Sequence, residues 1–272
     1  MKKNLLVILL ILISSSLLFS QENNLIKFKI TNFSDNNSND FSPTKYKNGI
    51  LFVSDRNPDN LYYDLYFTDF KSKPKKVKIN NNKYHIGQVF YDDKEDVVYL
   101  TKSSKQISEN NRVNLAIYKG KIKNNKIRNL KKLNFCNPKF SYGYAQVKNN
   151  TMLIHTDEGE GYSLILYELL NKKWIKKEVI FNNENPIINP VYINENTIVF
   201  ASKYLDGLGG FDLYQITKNN GIWSQPFNLT KINTKFDELS LLFINKNKGY
   251  ISSNRKNNKD NIFEFTLKKQ LK

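Results

Sequence analysis

Beyond its first twenty residues the chain alternates short runs of Ile, Val, Leu, Phe and Tyr with polar turns of Asn, Asp, Gly and Lys, and helical spacing of apolar residues is almost absent. That pattern predicts strands joined by turns. One unit recurs along the chain. Its clearest element is a strand ending in a hydroxyl residue: GILFVSDR (49–56), DVVYLTKS (96–103), TMLIHTDE (151–158), TIVFASKY (197–204) and GYISSNR (249–255), with Ser54, Thr101, Thr156, Ser202 and Ser253 as the repeated hydroxyls. A strand ending in an aromatic follows: DLYF (64–67), LAIY (115–118), LILY (164–167), DLYQ (212–215) and NIFEF (261–265). Next comes a basic or polar strand, KPKKVKI, IRNLKKL, WIKKEVI or WSQPFNL. An inner strand before each hydroxyl strand, opened by DFSPTKY, YHIGQVF, FSYGYAQV, INPVYI or DELSLLF, brings the unit to four strands. Four-stranded units repeating at about 50 residues are the blades of a propeller.

The last copy lacks its outer strand, and LIKFKIT (25–31) resembles KPKKVKI. The N-terminal strand is therefore expected to complete the last blade and close the ring, which removes open sheet edges. The expected fold is an all-β, five-bladed β-propeller spanning 21–272. Its four-stranded blades fall roughly at 36–80, 81–134, 135–181, 182–229 and 230–267 plus strand 25–31. Residues 1–20 form a signal-peptide pattern, with Lys2 and Lys3, then LLVILLILI, then SSSLLFS. An exported protein is expected, placed in the periplasm or at the outer-membrane periphery, with no transmembrane span after cleavage.

An exported chain with one cysteine has no internal disulfide, so Cys136 is expected to be a small buried hydrophobe. The formal charge of +17 comes mainly from Lys interleaved with Asn. Spread over turns and strand faces, it predicts a solvated surface, with a possible anionic glycan or peptidoglycan contact and no nucleic-acid partner. His85 and His155 lack the close spacing of a zinc pair, and GLGG (207–210) lacks the helix and Lys-Ser/Thr of a phosphate loop. No metal or cofactor is expected.

DFSPTKYKNGILFVSDR with DLYF, and GGFDLYQITKNNGIWSQPFNLTKINTKFDELSLLF with GYISSNR, resemble the WD40-like propeller repeat of the TolB type. The second stretch resembles the propeller modules of Bacteroidetes envelope proteins, some associated with type IX secretion and gliding. No OmpA-type domain accompanies them here, so binding through such a domain does not carry over. The resemblance implies a non-enzymatic scaffold in the cell envelope with an envelope protein as partner.

The repeat motif residues are Ser54, Arg56, Asp64, Tyr66, Ser202, Asp212, Tyr214, Ser253 and Arg255. Asp64 and Asp212 are expected to tie turns, and Arg56 and Arg255 to pair with a carboxylate or pin a loop carbonyl. Catalytic residues are expected to be absent. The candidates for a channel or binding role are Asp40, Tyr142, Tyr144, Tyr192, Asp237 and Glu238, at or near the inner strands. The alternative function is a carbohydrate-active or glycan-binding propeller using Asp40, Asp237 or Glu238. Glycoside cleavage requires two carboxyls facing one another across an open pocket.

Overall fold

The computed structural model describes residues 26–79, 84–107, 112–204 and 207–267; the expected signal over 1–20 lies outside them. The described chain is all β, arranged as five antiparallel blades in a ring. Blade 1 consists of Asp40–Tyr46, Gly49–Ser54, Asp64–Thr68 and Lys75–Lys76. Blade 2 is built from Ile86–Asp92, Val97–Ile107, Val113–Lys123 and Lys126–Lys132, with Lys78–Ile79 added in parallel at its outer edge. In blade 3 the strands are Tyr142–Lys148, Thr151–Thr156, Tyr162–Leu170 and Lys173–Asn183. Ile187–Asn194, Thr197–Ser202 and Asp212–Asn219 make blade 4, with its outer strand split into Ile222–Trp223 and Phe227–Asn228. Blade 5 holds Glu238–Asn245, Lys248–Ser253 and Asn261–Leu267.

Ile26–Ile30 supplies the fourth strand of blade 5, pairing antiparallel with Asn261–Leu267 from Ile26↔Leu267 to Ile30↔Phe263. The seam between blades 5 and 1 is then filled by Phe33, Ile50, Phe52, Tyr66, Tyr250 and Ile262. Similar apolar layers lie between the other blades. Cys136 is buried in the layer between blades 2 and 3, where burial pushes its thiol up to about 11.

Two sequence expectations shift in detail. The outer strands of blades 1 and 4 are interrupted; in blade 4 the break contains Pro226, which has no N–H for a sheet ladder. The hydroxyl of blade 2 is also displaced. Ser54, Thr156, Ser202 and Ser253 pair with residues at the start of their third strands, Asp64, Ser163, Asp212 and Asn261. In blade 2 Ser103 pairs with Leu115, whereas Thr101 sits two positions deeper opposite Ile117. Thr101 instead serves the neighbouring blade, its Oγ1 accepting the Tyr144 N–H at 2.8 Å.

Candidate active site at the strand-entry face

The inner strands all begin on one face of the ring, where the second strands end and the third strands start. Two equivalent clasps lie on this face. In blade 1 the Arg56 guanidinium donates to both Asp40 oxygens at 2.8 Å, to Ser54 Oγ at 3.0 Å and to the Phe33 carbonyl at 3.1 Å. In blade 5 Arg255 donates to Glu238 Oε1 at 3.0 Å, Ser253 Oγ at 3.1 Å and the Ile232 carbonyl at 3.1 Å. Each guanidinium lies over aromatic rings, Phe52 and Tyr66 in one case and Phe28 and Phe263 in the other. Asp40 and Glu238 are completely buried. Burial raises the Asp40 carboxyl against the pull of Arg56, and burial lowers Arg255 against the pull of Glu238. These carboxylates are committed to holding the blades together and are withdrawn from the ligand-facing candidates.

Asp64 accepts from Lys76 Nζ at 2.5 Å and Asn60 Nδ2 at 2.9 Å, and Asp212 accepts the Gly209 N–H at 3.0 Å. Asp212 thus takes a backbone N–H of its turn, whereas Asp64 takes the Asn60 and Lys76 side chains. Tyr66 and Tyr214 belong to the apolar layers between blades.

The blades are also latched to one another here. The Asp40 N–H donates to the Asp260 carbonyl at 2.6 Å, and the Asp260 N–H to Asn39 Oδ1 at 3.2 Å. The Glu238 N–H donates to the Phe211 carbonyl at 2.7 Å, and the Phe211 N–H to Asp237 Oδ1 at 2.6 Å. His85 plays this part between blades 1 and 2, its Nδ1 accepting the Tyr63 N–H at 3.2 Å. Gly209 and Gly210 allow the blade 4–5 approach, since a Cβ at either would strike the Phe236 carbonyl oxygen or Asp237 Oδ1.

Deeper in the ring, inner-strand bulges put Ser42, Tyr144 and Asn189 at left-handed φ of 52°, 58° and 49°. Ser42 Oγ donates to Asn189 Oδ1 at 2.9 Å, joining blades 1 and 4, and Asn189 Nδ2 donates to the Leu239 carbonyl of blade 5 at 2.6 Å. This polar bridge ties blades 1, 4 and 5 together across the ring interior.

Asp260 lies on this face at the seam of blades 5 and 1, and Asp55 of blade 1 and Asp237, which blade 4 holds through the Phe211 N–H, are near enough to repel it. Asp55 accepts from the Asn39 N–H and Asn39 Nδ2, both at 2.7 Å. Asp237 accepts from the Phe211 N–H at 2.6 Å and Asn254 Nδ2 at 2.9 Å. Among the described residues no hydrogen bond holds the Asp260 carboxyl. Burial, followed by repulsion from Asp237 and Asp55, pushes it up to about 6. One protonatable acid therefore stands beside two oriented carboxylates. Asp55 and Asp260 were missed by sequence reasoning. The signal for Asp260 was a departure from the repeat: register-equivalent positions hold Tyr63, Asn114, Tyr162 and Phe211, none of them acidic.

A cavity of about 420 Å³ opens where blades 2, 3 and 4 meet, lined in part by Arg112, Asn114, Tyr144, His155, Asp157 and Tyr162. Of the tyrosine candidates, Tyr144 reaches it. Tyr142 is fully buried between blades, and Tyr192 lies towards the far end of its inner strand beneath Lys148. Among the described residues no group of three or more His, Cys, Asp or Glu is arranged to hold a metal ion.

No family model and no curated protein sequence matches the chain. Solved structures do. An exo-β-1,3-galactanase from Clostridium thermocellum matches over 88% of this chain and 61% of its own, at TM-score 0.54 and 10% identity. A GH43_12 protein retrieved from a capybara gut metagenome matches over 87% and 53%, at TM-score 0.54 and 13% identity. An exo-β-1,3-galactanase from Phanerochaete chrysosporium, solved with galactose, matches over 88% and 64%, at TM-score 0.54 and 9% identity. This chain thus spans between half and two thirds of the length of these neighbours.

The fold these comparisons establish is the five-bladed propeller. They overturn the resemblance to TolB-type, WD40-like envelope modules, because the neighbours are GH43 glycoside hydrolases. The physical reason lies in the motifs themselves. Ser-x-Arg makes clasps in blades 1 and 5, and Asp-Leu-Tyr opens the third strands of blades 1 and 4, so these motifs report blade geometry. The non-enzymatic scaffold and its type IX secretion association fall with that resemblance, and the expected absence of activity is overturned with them; the neighbours of this fold are enzymes.

Proposed function

We propose that the protein is an exported, carbohydrate-active propeller that cleaves glycosidic bonds at the seam of blades 5 and 1. What supports this reading is the placement of Asp260, Asp237 and Asp55 on one face of a propeller whose fold neighbours include glycoside hydrolases, with burial and the two neighbouring carboxyls pushing Asp260 up to about 6. Glycoside cleavage needs such a pairing, a protonated carboxyl for the leaving oxygen and an ionised one for the other side of the bond. Asp260 gives its proton to the glycosidic oxygen as the bond to the anomeric carbon breaks. Asp237 takes a proton from water as the water oxygen bonds to that carbon. Its two hydrogen bonds, from Phe211 and Asn254, fix its plane and leave lone pairs for the water. The likeness in fold to exo-β-1,3-galactanases makes β-1,3-galactan the first substrate to try.

The test is release of reducing sugar from β-1,3-galactan and a panel of neutral plant and microbial polysaccharides. Wild-type protein is expected to release sugar from at least one, and Asp260→Asn to do so about 100-fold or more slowly, the usual scale of general acid catalysis. No release from any, or equal rates for the two proteins, contradicts the reading.

A further inference from the structure

The cavity between blades 2, 3 and 4 is a second feature of the entry face, formed without Asp55, Asp237 or Asp260. In a ring of five, blade 3 stands opposite the seam of blades 5 and 1. The volume of about 420 Å³ is within the range of small-molecule pockets, about 300–1,000 Å³.

Its wall is aromatic by construction. The inner-strand bulge that gives Ser42 and Asn189 to the interior bridge puts Tyr144 at the same register position of blade 3. A tyrosine at φ 58° is in a region that L-residues enter at a cost of about 1 kcal/mol or more. The conformation is held by the Thr101 Oγ1 bond to the Tyr144 N–H from blade 2. The Tyr144 ring stands 5.4 Å from His155, and His155 stacks on Tyr162 at 6.0 Å with planes 15° apart. His155 is 5% exposed, and its Nδ1 has no hydrogen-bond partner among the described residues. Burial lowers the imidazole to about 4, so this wall carries no charge at neutral pH.

The polar part of the lining is balanced. Asp157 and Arg112 contribute opposite charges, and Asp157 is oriented by the Ser141 N–H, which it accepts at 2.6 Å. A wall of flat rings beside a few fixed polar groups suits a ligand with one apolar face and a rim of hydroxyls.

We infer that this cavity is a binding pocket for a neutral sugar ring, which packs one face on Tyr144 and Tyr162 and turns its hydroxyls to Asp157 and Arg112. It goes beyond the proposed cleavage, because such a pocket holds sugar whether or not the seam carboxyls react.

The test uses the two histidines as reporters, since the chain contains only His85 and His155. Galactobiose, xylobiose and cellobiose are titrated separately into the protein while the imidazole proton resonances are followed by NMR. At least one disaccharide is expected to shift His155 saturably and leave His85 in place. Tyr162→Ala, and Tyr144→Asn, which installs the residue blade 4 carries at the same φ, are each expected to weaken that binding tenfold or more. Thermal unfolding of both variants shows that they are folded. The proposal is overturned if none of the three sugars moves His155, or if folded Tyr144→Asn and Tyr162→Ala bind as wild type does.

Discussion

Asp260 opposes the fold that contains it. A carboxyl with an ordinary value of 3.8, raised to about 6, binds its proton more tightly in the folded state than in the unfolded one. Its contribution is intact below about pH 4 and is lost as the pH rises through 6. Asp260→Asn is therefore expected to stabilise the protein at pH 7, by about 1–3 kcal/mol, with the gain vanishing below pH 4. Urea unfolding at pH 4 and pH 7 checks this; equal stability of the two proteins at pH 7 contradicts it. Residues that weaken a fold and complete a chemical group are what a stability–function trade-off leaves behind. The clasps behave in the opposite way. Arg255→Ala leaves the Glu238 carboxyl fully buried and short of its partner, and Arg56→Ala does the same to Asp40. Each is expected to cost about 3–5 kcal/mol in denaturant unfolding, far above the loss of an exposed pair such as Lys177–Glu168.

At the scale of elements, the strands were legible because each blade makes the same demands on its residues. Apolar alternation marks the sheet, a hydroxyl turns the loop after the second strand, and the N–H two residues on donates to it in Arg56, Glu158 and Arg255. Blade 2 misled the alignment because its hairpin is longer, so Thr101 mimicked a hydroxyl that Ser103 supplies. The N-terminal strand was legible by likeness to the other outer strands. Deleting 26–30 would expose the whole Asn261–Leu267 edge. The expected result is a lower melting temperature and concentration-dependent association, read by calorimetry and size-exclusion chromatography. GGFDLY is an element of the same kind. Gly210→Ala is expected to displace Asp237, the residue its Cβ would strike, and so to slow cleavage while the blade stays folded.

Across the whole molecule, the carboxyl group was illegible for a plain reason. Asp55 lies in blade 1 and Asp237 and Asp260 in blade 5, and only ring closure brings the first to the others. The sequence comparison favoured Asp40, Asp237 and Glu238 because they open inner strands. Asp40 and Glu238 are taken up by buried ion pairs inside their own blades, and Asp237 is left on the entry face, held by the Phe211 N–H of blade 4. A propeller repeats its scaffold, and its chemistry is found where one blade departs from the repeat.

The central claim is that Asp260 holds its proton up to about pH 6 because burial and two neighbouring carboxylates keep it there. Titration of the aspartate side-chain carboxyl carbons by NMR, with Asp260→Asn to assign the signal, measures this directly. The account predicts a midpoint of about 6 for Asp260, moving down towards 3.8 in Asp237→Asn. A midpoint near 3.8 in the wild-type protein would contradict it.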